Sequence, residues 1–286
     1  MNKRILILGG SGMAGHTLSL YFNEAGYDVT VFTRTPFVLC RNIQGDASDF
    51  DNLRAIIEKG NYDFIINCIG ILNQFAERKP LEAKVLNTDL PHFIAEVIKD
   101  TSSKLIHMST DCVFSGNTGP YKEDSFKDGR SVYDITKANG EINDDKNLTF
   151  RNSIIGPDLH VDGIGLFNWF MKQSGHIEGY TKAIWTGVTT LTLAKAIEQA
   201  MKTNLCGLYH LVNDRAITKY ELLNLFNEYF KDGKLTIIPS ERIALDKTLL
   251  NTRKDFNFQV PSYDSMINEM RNWIYDHKHF YLHYWI

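Results

Sequence analysis

Short apolar runs alternate with amphipathic stretches through the first half of this chain. Runs such as ILIL at 5–8 and FIIN at 64–67 have no polar face, which is typical of parallel strands covered by helices on both sides. The stretches between them repeat their apolar residues with a helical period. The pattern predicts strands over residues 5–8, 29–33, 64–68, 105–108 and 149–152, and helices over 14–24, 49–59, 81–99 and 133–143.

This alternation of strand and helix predicts an α/β fold with a doubly wound parallel sheet of the Rossmann type. After Gly156 the alternation is less regular, with a helical pattern at 191–201 and an apolar run at 208–212 that suggests a late strand of the same sheet. We therefore expect two units. Residues 1–155, completed by about 186–213, form the main domain, and residues 156–185 and 214–286 form a smaller, interleaved C-terminal lobe.

Charge and composition exclude several classes of partner. The 286 residues carry a formal net charge of −3, so there is no basic surface of the kind that binds nucleic acid. We expect no membrane span and no signal peptide, hence a cytoplasmic protein. The four cysteines form no C-x-x-C pair and are expected to be reduced and buried. The aromatic tail HFYLHYWI is expected to pack on the smaller lobe instead of binding a membrane or a metal.

Three glycines lie directly between the first predicted strand and the first predicted helix. Gly9, Gly12 and Gly15 have the spacing G-x-x-G-x-x-G. Glycines there allow a tight turn, close helix packing and approach of backbone N–H groups to a pyrophosphate at the helix N-terminus. The segment predicts a dinucleotide-binding turn.

The neighbouring strand ends suggest which dinucleotide binds. The second strand ends at Thr33 and Arg34, where NAD-binding proteins place a carboxylate, and a guanidinium favours the 2′-phosphate of NADP. Asp46 is either a ligand of the adenine amino group or the N-cap of a helix. The turn at 67–70 is suited to lie along the cofactor.

A candidate catalytic group follows in the segment SVYDITKANGE. Tyr133 and Lys137 are four residues apart on a predicted helix and share one face, so the ammonium is placed to lower the pKa of the phenol. The preceding strand ends with Ser109 and Thr110, whose hydroxyl is placed to donate to a substrate carbonyl while Tyr133 delivers a proton.

Four segments, STDCVF, GPYKED, YDITKANGE and RNSIIGP, complete the set of motifs. Through these motifs the chain resembles the extended short-chain dehydrogenase/reductases, and within them the dTDP-4-dehydrorhamnose reductase-like branch. The resemblance implies NADPH-dependent reduction of the 4-keto group of a nucleotide-linked 4-keto-6-deoxy sugar, with Thr110, Tyr133 and Lys137 as the catalytic residues. The residues expected to contact NADPH are Gly9, Ser11, Gly12, Met13, Gly15, Thr33, Arg34, Asp46, Ala47, Cys68, Ile69, Gly70, Asn87, Tyr133 and Lys137.

The substrate is expected in the smaller lobe. The resemblance implies that Asp111 and Arg151 contact it, while Phe167, Trp169 and Trp185 offer flat apolar surfaces for a base or a sugar. No ligand cluster predicts a metal. A homodimer is left open.

Three alternatives remain at this stage. The sugar is dTDP-linked or a UDP-linked 2-acetamido-2,6-dideoxy-4-keto hexose, since Cys112, Ser115 and Asp134 depart from the usual residues of the branch. An epimerase would keep the same tyrosine and lysine. A non-catalytic NADP-binding regulatory subunit would have no chemical reason to keep all three catalytic residues. Cys112 stands where related dehydratases have a glutamate, which argues against dehydration.

Overall fold

The computed structural model describes residues 3–285, and Met1, Asn2 and Ile286 lie outside them. Its strands are β1 Arg4–Leu8, β2 Asp28–Thr33, β3 Arg41–Gln44, β4 Phe64–Asn67, β5 Lys104–Thr110, β6 Leu148–Asn152, β7 Ile154–Ile155, β8 His176–Trp185, β9 Val188–Thr189, β10 Gly207–His210, β11 Ile217–Thr218 and β12 Thr236–Asp246. Its α-helices are α1 Met13–Glu24, α2 Phe50–Gly60, α3 Asn73–Arg78, α4 Pro80–Ala83, α5 Leu90–Val97, α6 Val132–Asn139, α7 Leu166–Met171, α8 Thr190–Ala200, α9 Lys219–Lys231 and α10 Tyr263–Asp276.

Seven parallel strands form the central sheet in the order β10-β6-β5-β4-β1-β2-β3. The chain runs outward from β1 to β3 in one direction and from β4 to β10 in the other. The strand order therefore reverses between β1 and β4, and ligands of open α/β sheets bind at that point. The predicted fold class, a doubly wound Rossmann-type sheet, is confirmed.

The first strand shows why the apolar runs are continuous. Ile5 and Ile7 belong to the core between the sheet and helices α1 and α8, while Leu6 and Leu8 belong to the core on the opposite face with α2 and α5. All four side chains are fully buried. A strand covered on both faces has no position for a polar residue.

The last strand of the sheet, β10, has its outer edge covered by side chains. Leu208 N donates to Asn143 Oδ1 (2.9 Å), Leu208 O accepts from Arg253 Nη1 (2.9 Å), and His210 N donates to Glu123 Oε1 (3.3 Å). The predicted late strand is thus present, and it pairs with β6 through residues 207–210.

Beyond β6 the chain builds a three-stranded sheet in the order β11-β8-β12, against which α9 packs. The sequence pattern did not reveal β8, β12, α9 or α10. The division into a main domain and a smaller lobe stays a prediction, although β10 lies in the central sheet and α8 packs on α1.

Two predicted helices differ from the observed ones. The helix predicted over 81–99 is interrupted by a π-helical stretch, Lys84–Asp89, which carries Asn87. The helix predicted over 133–143 ends at Asn139, because Gly140 lies so close to Asn87 that a Cβ atom there would be 1.8 Å from the Asn87 carbonyl oxygen. Asn87 thereby lies against the C-terminal half of α6, where its amide donates to Thr136 and its carbonyl oxygen faces Gly140.

Candidate active site

The glycine turn between β1 and α1 has the geometry that a bound pyrophosphate requires. Gly9 has φ of +80°, and Gly12 N donates to Gly9 O (3.1 Å). A Cβ atom at Gly15 would lie 2.2 Å from Gly9 O, so only glycine allows α1 to begin this close to β1. Gly12 is the exposed N-cap of α1, and the first amides of the helix face outward with no partner inside the helix. These residues fit a dinucleotide phosphate.

A cavity of about 410 Å³ extends from this turn across the ends of β1, β2 and β4. Arg34 is exposed at its rim, beside Asp46. The hydroxyl of Thr33 already donates to Thr35 O (2.6 Å) and accepts from Asn42 (2.7 Å). The Thr33 side chain is therefore engaged within the protein, and the residue contributes to the cavity through its backbone. Ten of the predicted cofactor residues line this cavity: Gly9, Ser11, Gly12, Thr33, Arg34, Asp46, Ala47, Cys68, Ile69 and Gly70.

Asp46 is not a helix N-cap. Its Oδ1 accepts from Ser48 N (2.9 Å) and Ser48 Oγ (2.7 Å), whereas Asp49 caps α2. The hydrogen bonds from Ser48, assisted by the charge of Arg34, lower the pKa of Asp46. The carboxylate is therefore ionised at neutral pH, with Oδ2 free of these bonds.

Asn87 corrects one expectation. Its side chain is fully buried, accepts from Ile71 N (2.8 Å), and donates to Ile71 O (3.0 Å) and to Thr136 Oγ1 (3.0 Å). The amide is therefore engaged in holding the loop after β4 against α6. It positions the site but has no free group for a cofactor.

Thr110 and Tyr133 lie together at the carboxyl end of β5. A hydrogen bond joins Thr110 to Tyr133, and Thr110 Oγ1 also lies 3.1 Å from Asp111 Oδ1. Tyr133 packs against Ala76 and Ala83, which lie in the short helices α3 and α4. Ile71 touches the same cluster and lines the 410 Å³ cavity, so the phenol lies directly behind the wall of the cofactor cavity.

The pKa of Tyr133 differs from the expected direction. Burial raises it above its ordinary value, and the neighbouring Cys112 thiol acts in the same direction. The expected lowering by Lys137 is not observed, and the ammonium of Lys137 instead donates to Met108 O (2.6 Å). A phenol with a raised pKa is fully protonated at neutral pH, which is the form that a proton donor needs.

Lys137 is itself almost fully buried. Burial lowers its pKa to about 8, opposed by the charges of Glu141 and Cys68. Cys68 lines the 410 Å³ cavity, so the ammonium lies next to the cofactor cavity and behind its wall.

Two further cavities continue from the first. One of about 740 Å³ shares Gly12, Arg34 and Gly70 with it, and is closed on its other side by the loop 158–165. Another, of about 520 Å³, lies between α7, β8 and α9 and shares Leu166 with the second. The predicted cofactor residue Met13 lines the 740 Å³ cavity, between the glycine turn and Gly165 of the loop 158–165.

Three of the predicted substrate contacts are wrong, because their side chains are buried. Phe167 is 0% exposed and packs on Phe226. Trp185 is 3% exposed and packs on Tyr263.

The third, Arg151, is 1% exposed. Its guanidinium is bidentate to Glu141 (2.7 Å to each oxygen) and bonds His210 (2.8 Å). A guanidinium so engaged supports the strand ends from inside the fold and is not offered to a substrate.

The two other predicted contacts are well placed. Trp169 is 40% exposed and lines the 520 Å³ cavity. Asp111 follows Thr110, and burial raises its pKa against the opposing charges of Lys219 and Lys247.

The sequence analysis did not identify the positively charged residues that line the 520 Å³ cavity. Lys219, the first residue of α9, lies with its ammonium 4.9 Å from the centre of the Trp185 ring and, within the described chain, forms no hydrogen bond or ion pair. Burial lowers its pKa to about 8. Arg242 reaches the same cavity and donates to Tyr180 Oη (2.8 Å). The only signal in the sequence was the capping box at Thr218, which predicts the helix but not the role of the lysine.

Three other features bear on the expectations from the sequence. Among residues 3–285, no group of three or more His, Cys, Asp or Glu side chains is arranged to hold a metal ion. In the same part of the chain, no helix has both the length and the apolar character needed to cross a membrane. The four cysteines are unpaired and half-buried.

Known proteins resemble this chain in sequence and in fold. The model of the family described as RmlD substrate binding domain matches residues 3–153. Methionine adenosyltransferase 2 subunit beta of Xenopus laevis is 26% identical over 238 residues, which cover 77% of this chain and 70% of that protein. The dTDP-4-keto-6-deoxy-D-glucose reductase of Streptomyces niveus is 26% identical over 256 residues, 85% of each chain.

Among solved structures, dTDP-4-dehydrorhamnose reductase from Bacillus anthracis, in complex with NADP, superposes with a TM-score of 0.80. It is 21% identical in sequence, and the match covers 94% of this chain and 99% of that one. At this identity the likeness concerns the fold.

Proposed function

Because this chain belongs to the RmlD substrate binding domain family, we propose that it is an NADPH-dependent reductase of the 4-keto group of a nucleotide-linked 4-keto-6-deoxy sugar. The relative from Streptomyces niveus is named as a reductase of such a sugar. The observation that carries the proposal is the position of Thr110, Tyr133 and Lys137. They lie together at the carboxyl edge of the sheet, next to the cavity of the glycine turn.

The chain's own residues have defined tasks in this reaction. When bound, NADPH supplies the hydride that the ketone carbon accepts. Tyr133 donates its phenolic proton to the ketone oxygen, which completes the alcohol. The hydroxyl of Thr110, now directed to Asp111, donates a hydrogen bond to the same oxygen and stabilises its developing charge. Lys137, charged below about pH 8, stabilises the tyrosinate that forms.

The substrate's nucleotide is assigned to the 520 Å³ cavity. Lys219 brings a positive charge that forms no hydrogen bond or ion pair among residues 3–285, and Trp169 and Tyr180 bring aromatic faces. Burying an ammonium without a hydrogen-bond partner costs free energy, and a bound phosphate group removes this cost by pairing with it. The cytoplasmic location and the homodimer stay predictions, and the dTDP- and UDP-linked sugars stay alternatives.

The test of the reaction is NADPH oxidation, followed by the loss of NADPH absorbance, with dTDP- and UDP-linked 4-keto-6-deoxy sugars, and NMR of the product. The proposal requires one NADPH consumed for each sugar reduced. Interconversion of sugars without net NADPH consumption would instead identify an epimerase.

A second candidate function rests on the likeness to an adenosyltransferase subunit. In that case the chain binds NADPH and a partner enzyme but reduces no sugar. NADPH binding without oxidation on any of these sugars, together with no effect of Tyr133→Phe, would support it.

Arg34 is expected to select NADPH over NADH. It is the exposed cation at the rim of the cofactor cavity, and a charge-assisted bond to the 2′-phosphate is lost when it is removed. Arg34→Ala should raise the Kd of NADPH by about 10- to 100-fold and leave that of NADH unchanged. Isothermal titration of both cofactors measures this. Arg54→Ala, which removes an exposed arginine of α2, is the control, and equal losses for NADPH and NADH would contradict the assignment.

Lys219 is expected to hold the nucleotide part of the sugar substrate. Lys219→Met keeps the length of the side chain and removes its charge, so the KM of the nucleotide sugar should rise about tenfold while the Kd of NADPH stays the same. Steady-state kinetics at saturating NADPH measure this. The matched control is Lys234→Met, at an exposed lysine that follows the C-terminal end of α9. An unchanged KM would remove Lys219 from the site.

A further inference from the structure

The aromatic C-terminal tail does more than pack on the smaller lobe. After α10 it forms two short 3₁₀ turns, Lys278–Phe280 and Leu282–Tyr284. Tyr281 is fully buried and reaches α1, the helix that begins at the glycine turn. The tail thus contacts α1 as well as the smaller lobe, where Tyr284 packs on Phe167. We call residues 277–285 the C-terminal segment.

His16 connects this segment to the glycine turn. Its Nδ1 lies 3.0 Å from Gly12 O and its Nε2 lies 2.9 Å from Tyr281 Oη. A carbonyl oxygen only accepts, so Nδ1 carries the hydrogen and donates to Gly12 O. Nε2 then accepts, and the Tyr281 hydroxyl is the donor.

The protonation state of His16 fixes this chain of bonds. His16 is 0% exposed, and burial lowers its pKa to about 4. At neutral pH the ring is uncharged and has one hydrogen, so the bond from Tyr281 holds that hydrogen on Nδ1, towards Gly12. This is how a second hydrogen bond selects the tautomer of a histidine.

Gly12 is the residue whose orientation matters to the cofactor. It is the N-cap of α1, and its carbonyl accepts from both His16 N (3.0 Å) and His16 Nδ1 (3.0 Å). Gly12 has no side chain that could form a cap, and the histidine ring instead adds a second donor to its carbonyl oxygen. The direction of the first amides of α1 depends on this peptide.

The same segment is attached at two other points. His277 Nε2 lies 2.6 Å from Glu24 Oε1 at the last turn of α1, and Tyr284 Oη accepts from Asp158 N (2.8 Å) in the loop 158–165. The C-terminal segment therefore spans the length of α1 and holds Tyr281 in place from both sides.

We propose that Tyr281 is a positioning residue for the dinucleotide: through the His16 ring it fixes the Gly12 peptide, and so the pyrophosphate-binding amides at the start of α1. The inference rests on the proposed function, because it requires that the glycine turn binds NADPH. The hydroxyl acts through His16 and does not touch the cofactor cavity's lining residues.

The first experiment is Tyr281→Phe, which removes one hydroxyl and keeps the ring. The Kd of NADPH, measured by isothermal titration well below Tm, should rise about fivefold, as expected for the loss of one neutral hydrogen bond. Tyr263→Phe is the matched control, since it also removes the hydroxyl of a buried tyrosine, which donates a hydrogen bond to Arg215 O (2.7 Å) outside the path from Tyr281 to Gly12. It should lower Tm to a similar extent but leave the Kd of NADPH unchanged. Equal increases in Kd for both variants, or none for Tyr281→Phe, would overturn the inference.

A second variant tests the path through the histidine. His16→Asn keeps a side-chain N–H for Gly12 O and is too short to reach Tyr281. In this background Tyr281→Phe should have no further effect on the Kd of NADPH, whereas independent residues would give additive losses. Additive losses would overturn the inference. If the unmodified chain binds no NADPH, the proposed function fails, and the inference fails with it. If the unmodified chain and Tyr281→Phe bind NADPH with the same Kd, only the inference fails.

Discussion

Tyr133→Phe is expected to lower kcat for the sugar reduction by about 10²- to 10⁴-fold, the range that a positioned general acid contributes. The ring stays, so its packing on Ala76 and Ala83 and the fold around it are kept. Only the proton donor and its hydrogen bond with Thr110 are lost. The Kd of NADPH should change little, because the cofactor cavity is lined by other residues.

Stopped-flow measurement of one turnover separates this chemical effect from binding. The control is Tyr275→Phe, at a tyrosine of α10 that is 42% exposed and remote from β5. If Tyr133→Phe retains the full rate with a 4-keto sugar, the assignment of Tyr133 as the proton donor is wrong.

Lys137→Met is expected to cause the second-largest loss, about 10²-fold in kcat or more. The apolar chain fills the buried space, but no cation remains to stabilise the tyrosinate. The pH profile gives a sharper readout than the rate alone. In the unmodified chain burial holds the pKa of Lys137 near 8, so its charge, and with it the reduction, is present below that pH and lost as the pH rises through about 8.

The variant should lack this loss between about pH 7 and 9, since it has no group that titrates there at position 137. Initial rates measured across that range at saturating NADPH and saturating sugar give the comparison, since the charge of Lys219, whose pKa is also about 8, then no longer limits the rate through KM. Lys127→Met, at a partly exposed lysine that pairs with Glu141, is the control for charge loss near the site. A pH profile that is the same in Lys137→Met and the unmodified chain would assign the transition to another group.

The sheet and the glycine turn were predictable from sequence because each is local. Ile5 and Leu6 are adjacent apolar residues on opposite faces of one strand, and such a run has few other stable environments. Gly9 and Gly15 occupy positions where a side chain would collide with backbone. Their spacing is therefore recognisable in the sequence itself, as the glycine pattern between the first strand and the first helix.

The substrate side was less predictable because its residues are chosen by tertiary contacts. Phe167 and Trp169 are two residues apart on one short helix, yet one is fully buried and the other is exposed at a cavity. Arg151 has the sequence context of a ligand, but its partner Glu141 comes from the coil after α6, where a helix was expected. Lys219 is an isolated lysine whose position depends on α9 packing against β8.

The covered edge of the central sheet has a consequence for how the protein behaves in concentrated solution. An outer strand normally presents a row of free amides and carbonyls that pairs with strands of other molecules. On β10 that row is occupied by Asn143, Arg253 and Glu123. The four-residue strand therefore gives no template for intermolecular β-pairing, and the protein is protected at this edge against fibrillar aggregation without the need for a second subunit to cover it.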